Sequence, residues 1–254
     1  MTRTTSSPPA VPRSGHARQR AAAGALLVAG PAIFLVAEFV SAAAWTDPAY
    51  SYTYDFISNL GVQGPSTLFG QFMASPLYWL MNAGFFTFGL VVLTGVALLR
   101  GLAGRRRWAA LVPAALLACG GVLLALFPGS GEALSDGTGE FHSMGAFAGF
   151  IGGNVLAIVL GRSRERLGLP IATGRALVTV GIVGLVSMVC YLALIVRSVD
   201  GATIGVMGLI ERGATHPFLI ATLCAGASIA RRRVHRLSAP PDGARRVVVA
   251  SPSS

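Results

Sequence analysis

Residues 76–127 read PLYWLMNAGFFTFGLVVLTGVALLRGLAGRRRWAALVPAALLACGGVLLALF, two long apolar runs with Arg100, Arg105, Arg106 and Arg107 gathered between them. The runs, about 76–99 and 108–127, are each near the roughly 20 residues a helix needs to cross a hydrocarbon core. Ser75-Pro76 predicts the start of the first: Ser accepts from a free N–H, and Pro has none to satisfy. Four arginines in so short a gap mark it as cytoplasmic.

The same pattern extends in both directions. Four more runs lie at about 21–44, 141–160, 175–197 and 204–230. Arg3, Arg13, Arg18 and Arg20 precede the first. Arg162, Arg164, Arg166 and Arg175 separate the fourth from the fifth. Arg231, Arg232, Arg233, Arg236, Arg245 and Arg246 follow the sixth. The intervening gaps hold Asp47, Asp55, Glu132, Asp136, Glu140 and Asp200. All twenty cationic side chains are arginine, and only Arg197 and Arg212 break the alternation. The fold predicted is all-α, a polytopic bundle of six transmembrane helices in the plasma membrane, with both termini cytoplasmic. Residues 1–20 and 231–254 read as disordered cytoplasmic tails, leaving 21–230 as one membrane domain. Ala42 and Ala44 form an A-x-A pattern, but the preceding apolar stretch exceeds the roughly 7–15 residues of a signal-peptide core. An uncleaved first helix is expected.

Of the 254 residues, 53% are apolar and 12% charged, about half the usual charged share of a soluble domain. The net charge of +10 does not indicate a nucleic-acid partner, because the arginines flank spans and cover no single face. Membrane lipids are the expected partners. Cys119, Cys190 and Cys224 lie inside apolar runs without metal-ligand spacing and read as small packing residues. Trp45, Trp79 and Trp108 stand at span ends, where indoles favour the interface.

Charges inside spans are costly and need a partner or a cavity. At about 1.5 Å per residue, Glu38, Asn82 and Arg212 reach a similar depth of roughly 10 Å, so Glu38 and Arg212 are expected to pair. Glu211 precedes Arg212 and points about 100° away on a helix. His216 shares the Arg212 face, and Pro217 frees the carbonyl of Gly213. His142 opens the fourth span, followed by Gly145, Gly149 and Gly153, a double GxxxG face that admits a close helix neighbour. The segment 45–75 is the longest on the far side. Within it, Leu68, Phe69, Phe72 and Met73 suggest a short interfacial helix.

Asp55, Ser58, His142 and His216 are the candidate catalytic residues. Asp55, His142 and His216 make an acceptable zinc set with an open position for water. Ser58, His142 and Asp55 make an alternative nucleophile, base and orienter. Neither has diagnostic spacing, and HExxH, GxSxG and P-loop motifs are missing. Asp55 and Ser58 also suit turn capping.

The order of Asp55-Phe56-Ile57-Ser58-Asn59-Leu60-Gly61, Phe127-Pro128, His142 and Gly208-Leu209-Ile210-Glu211-Arg212 resembles the DUF998 family of bacterial six-span membrane proteins. The resemblance covers about residues 24–230. It implies a six-helix fold and leaves the biochemistry open, since the family's function is unknown. The layout is also loosely similar to membrane hydrolases of the alkaline ceramidase kind, but His216 lacks the second His of their HxxxH pair. Three functions follow as expectations. The first is binding of a lipid or hydrophobic ligand, or scaffolding of partners, at the outer-leaflet side. The second is a metal-dependent lipid hydrolase using Asp55, His142 and His216, the one reading that calls for zinc; otherwise no cofactor is expected. The third is a small transporter. Glu38, Asn82, Glu211 and Arg212 are the expected ligand-binding or polar network.

Overall fold

A computed structural model describes residues 13–199 and 205–238. Its long helices are α1 (Arg13–Ala44), α2 (Tyr78–Ala97), α3 (Gly104–Leu126), α5 (Gly139–Arg162), α7 (Ile171–Val199) and α8 (Met207–Ser238). All six are long and apolar enough to cross a membrane, as the runs of apolar residues predict. Two short helices, α4 (Gly131–Asp136) and α6 (Arg164–Leu167), sit in the connections. Each long helix packs on its neighbour in sequence. α1 packs back on α8 to close the ring, and α5 also reaches α8.

Glycine sets several of these approaches. A methyl group on Gly120 of α3 would come within 2.6 Å of the Gly145 carbonyl and the Gly149 nitrogen of α5. Such contact without side chains is how helices gain packing where lipid offers no hydrophobic drive. The glycine face of α5 divides, however. Gly145 and Gly152 press on α3, a Cβ on Gly153 would strike the Phe218 ring of α8, and one on Gly149 would meet open space.

Several boundaries differ from expectation. α1 starts at Arg13, so residues 13–20 are helical and not a disordered tail. α8 runs to Ser238, which makes 231–238 helical as well. Residues 1–12 and 239–254, and Asp200 with the expected start of the sixth span at 204, lie outside the described residues. Ser75-Pro76 does not cap α2: the helix begins two residues later, after Leu77, with no side-chain cap. Trp79 and Trp108 are exposed near helix starts, whereas Trp45 is 4% exposed and packs on the Tyr50 ring at 5.5 Å. The three cysteines are free and exposed on the bundle surface, so they do not pack the interior. A thiol is apolar enough to face lipid.

The expected interfacial helix is a β-hairpin. β1 (Ser66–Leu68) pairs antiparallel with β2 (Gln71–Met73), in the register Ser66↔Met73 and Leu68↔Gln71. Phe69 and Gly70 form its turn with φ of 51° and 76°, the positive pair that a two-residue turn requires. The hairpin is tied to α4: Ser66 Oγ donates to Glu132 at 2.7 Å and accepts from the Gly131 N–H at 2.9 Å.

Candidate functional site

The loop 45–75 and the start of α8 dock by reciprocal capping. A helix start has free N–H groups. In α8 the N–H of Gly208 donates to the Tyr54 carbonyl at 3.1 Å, and that of Leu209 to the Thr53 carbonyl at 3.0 Å. In return, the Glu211 carboxylate accepts from the N–H of Ile57, at the start of the 3-10 turn Ser58–Gly61. Gly208 is needed because a Cβ there would overlap the Asp55 carbonyl.

Arg212 points the other way and pins three segments. Its Nε donates to Glu38 Oε1 of α1 at 3.0 Å. Its Nη1 donates to the carbonyls of Tyr52 (2.8 Å), Asp55 (3.1 Å) and Gly208 (3.0 Å), and its Nη2 to the Tyr50 hydroxyl. The guanidinium also lies 4.8 Å from the Tyr52 ring centre, at cation–π range. Burial pushes the Tyr50 hydroxyl above its ordinary pKa, against the pull of Arg212. It stays neutral, accepts from Arg212, and donates to the Phe56 carbonyl at 2.9 Å.

The second Glu38 oxygen accepts from His216 Nε2 at 2.9 Å, which fixes the proton on that nitrogen. Glu38 is fully buried and Arg212 nearly so. The pair expected from depth alone is present, and His216 extends it to a triad. Asn82 is not part of it: its Nδ2 donates to the Gly61 carbonyl at 2.9 Å.

The residues proposed for zinc do not converge. His216 serves Glu38. His142 Nδ1 donates to the Phe127 carbonyl at 2.8 Å. Asp55 Oδ2 accepts from the Ser51 N–H at 2.7 Å, a turn-capping role. Burial holds the Asp55 carboxyl above its ordinary pKa, with the Ser51 N–H and Arg212 opposing. Among the described residues no three His, Cys, Asp or Glu side chains cluster as metal ligands. The nucleophile set also fails to assemble, since Asp55 faces Ser51 while Ser58 and His142 face a cavity.

That cavity holds about 180 Å³ and lies between the loop, α4 and the six long helices. Its walls are aromatic, with Phe56, Phe85, Phe147, Phe150, Tyr191 and Phe218 among them, and Ser58, His142, Thr215 and Glu211 supply polar atoms. Among the described residues no Arg or Lys lines it. Because the Phe127 carbonyl holds the proton on Nδ1 of neutral His142, its Nε2 is an acceptor. Gly129 lies against that ring; a Cβ there would sit 2.7 Å from Nε2.

Sequence reading missed Gln71. It is 1% exposed and organises the loop interior. Its Oε1 accepts from the Phe56 N–H (3.2 Å) and from Asn59 Nδ2 (2.6 Å), while its Nε2 donates to the Tyr54 carbonyl (2.7 Å). An amide set between Gly70 and the apolar pair Phe72-Met73 was the available signal. It also missed Asn154 as a link between helices. Its Nδ2 donates to the carbonyls of Phe150 and of Ala214 in α8, both at 2.9 Å, beside the backbone group that Pro217 leaves without a donor.

The chain belongs to DUF998, a family described as a protein of unknown function, whose model matches residues 15–228. It is a multi-span membrane protein. No curated protein matches the chain, and no solved structure does.

Proposed function

We propose that this protein binds an uncharged hydrophobic ligand, or the apolar end of a lipid, in the cavity beneath the 45–75 loop. The observation that carries this reading is the lining. Segments 55–61, 127–129, 142 and 208–212 all come to this one end of the bundle, and residues from each line the cavity or support its wall. The wall is aromatic with a few polar groups, the usual composition of a small-molecule site. An apolar cavity of about 150 Å³ takes up benzene, so 180 Å³ suits one ring or a short stretch of chain. With no Arg or Lys among the described wall residues, an anionic head has no cationic partner among them.

Gly149 offers the test, since a side chain added there enters open space. A neutral single-ring probe, fluorobenzene followed by fluorine NMR, should bind the purified full chain in detergent and lose at least tenfold in affinity in Gly149→Leu. Equal binding by both proteins would remove the cavity as the site.

The cavity lies at the end of the bundle remote from the arginine clusters. We place the arginine end in the cytoplasm of a plasma-membrane protein, on the excess of arginine in alternate connections. Reporter fusions at the C terminus and in the 130–138 connection should report opposite sides. A shared side would overturn this orientation.

A further inference from the structure

The cavity beneath the loop is bordered by polar atoms that the fold does not use. His142 gives its Nδ1 proton to the Phe127 carbonyl at 2.8 Å, so the neutral ring presents Nε2 as a lone-pair acceptor. Among the described residues no donor reaches that nitrogen. Gly129 keeps side chains away from it. A Cβ there would come within 2.7 Å of Nε2, while the Gly129 φ lies outside the left-handed region. The ring, and not the backbone, is what a side chain at 129 would offend. On α8 the Glu211 carboxylate accepts from the N–H groups of Ile57 and Ser58. A carboxylate has about four lone-pair sites, so it can accept again. The Ser58 and Tyr191 hydroxyls also line the space, and among the described residues neither has a hydrogen-bond partner.

We infer that the occupant of this cavity is an apolar molecule carrying an uncharged hydroxyl, whose proton His142 Nε2 accepts. This rests on the cavity being the ligand site and adds the class of ligand. A buried acceptor left unpaired is costly, and a bare ring or a plain chain would leave Nε2 in that state. A hydroxyl has one proton for Nε2 and lone pairs for the Ser58 or Tyr191 hydroxyl. A carboxylate has no proton to give and would face Glu211. An ammonium would exchange its whole hydration shell for an aromatic wall, a far larger loss than a hydroxyl suffers. The hydroxyl can belong to a chain alcohol, as in a neutral lipid, or to an aromatic alcohol.

The test follows small fluorinated probes by fluorine NMR with the purified full chain in detergent, each affinity referenced to empty micelles. 4-Fluorophenol should bind at least fivefold tighter than fluorobenzene, and at least fivefold tighter than 4-fluoroanisole, which keeps the oxygen and lacks the proton. In His142→Phe the phenol and the anisole should fall within twofold of each other while fluorobenzene still binds. Equal binding of phenol and anisole by the wild type would overturn the hydroxyl and leave the cavity as a site for apolar ligands. A preference that survives His142→Phe would overturn His142 as the acceptor. Tighter binding of 4-fluorobenzylamine than of the phenol would overturn the uncharged class. Failure of every probe, fluorobenzene included, would remove the cavity as the site and the hydroxyl with it. The wild type also gives a reading that does not depend on the folding of a variant: the His142 Nε2 nitrogen resonance should move upfield on adding the phenol and stay in place with the anisole. No movement with the phenol would overturn the hydrogen bond. Displacement of the phenol by hexan-1-ol would identify a chain alcohol as the occupant. Phenol binding that hexan-1-ol leaves intact would identify an aromatic one.

Discussion

Removing the charges of Glu38 and Arg212 singly and together should give unequal losses. In Arg212→Leu, Glu38 stays fully buried with His216 as its remaining partner. Leaving one member of a buried pair uncompensated costs about 3–5 kcal/mol. The carbonyls of Tyr52 and Asp55 also lose a charged donor, each adding about 1 kcal/mol or more. In Glu38→Leu the guanidinium keeps its three carbonyls and the Tyr50 hydroxyl. Those dipoles still solvate it, so the loss should fall at about 2–3 kcal/mol, at the low end of the range for a broken pair. The double variant carries no buried charge at these positions and should recover about 2 kcal/mol relative to Arg212→Leu. It should not reach the wild type, because the loop has lost its pin. Unfolding in mixed micelles by denaturant gives the three free energies, and hydrogen exchange over residues 50–61 gives the loop separately. Exchange should rise in Arg212→Leu and in the double variant and change little in Glu38→Leu. Strictly additive single losses, or a loop opened equally by Glu38→Leu, would refute the account of Arg212 as a pin that the acid only neutralises.

Three further outcomes follow. An empty 180 Å³ cavity costs about 4 kcal/mol at roughly 24 cal/mol per Å³. Gly149→Leu fills part of it and removes a helix-interior glycine worth about 1 kcal/mol, so it should stabilise the ligand-free protein by about 2 kcal/mol while abolishing probe binding. A destabilised variant would mean the space is not available to a side chain. Gln71→Leu leaves the Phe56 N–H, the Asn59 amide and the Tyr54 carbonyl without partners and should cost about 3 kcal/mol, seen as a lower thermal midpoint. Burial raises the folded pKa of Asp55 above its unfolded value. The stability linked to it is fully present below the unfolded pKa and is lost as pH rises through the folded one. Asp55→Asn keeps an acceptor for Ser51, so it should flatten that loss in unfolding curves taken from acid to neutral pH. An unchanged pH slope would remove Asp55 as its source.

The spans were legible because lipid demands one thing of a helix: about twenty apolar residues with every backbone group bonded internally. That demand is local, and so the runs 76–99 and 108–127 anticipate α2 and α3. The depth argument worked for Glu38 and Arg212 for a related reason, since a buried charge at a given depth has few partners within reach. It failed for Asn82, whose partner is a loop carbonyl, because depth ranks helices against each other and takes no account of a loop folded down among them. The hairpin failed differently. Leu68, Phe69, Phe72 and Met73 have spacing that suits one face of a helix. What decides the matter is the backbone at Phe69 and Gly70 and the tie between Ser66 and α4, contacts distant in sequence. His142, Asp55 and His216 looked like a ligand set because their residue types fit. Each is instead satisfied by its own neighbour.

The division between Glu211 and Arg212 follows from helix geometry. Adjacent residues diverge by about 100°, so Glu211 and Arg212 leave α8 in different directions and meet different groups. In α8 each turns to a different partner: Arg212 to Glu38 and the loop carbonyls, Glu211 to the turn at Ile57 and the cavity wall. The donors of Arg212 all face protein, which assigns it to the architecture despite its prominence in the sequence. Glu211 holds the loop with one side of its carboxylate and borders the cavity at the same time. A ligand that engaged Glu211 would therefore be felt at Ile57 and along the 58–61 turn, through a single side chain and the hydrogen bond it accepts. Perturbing Arg212 tests whether the bundle is assembled; perturbing Gly149, which touches neither charge network, tests what the assembled bundle holds.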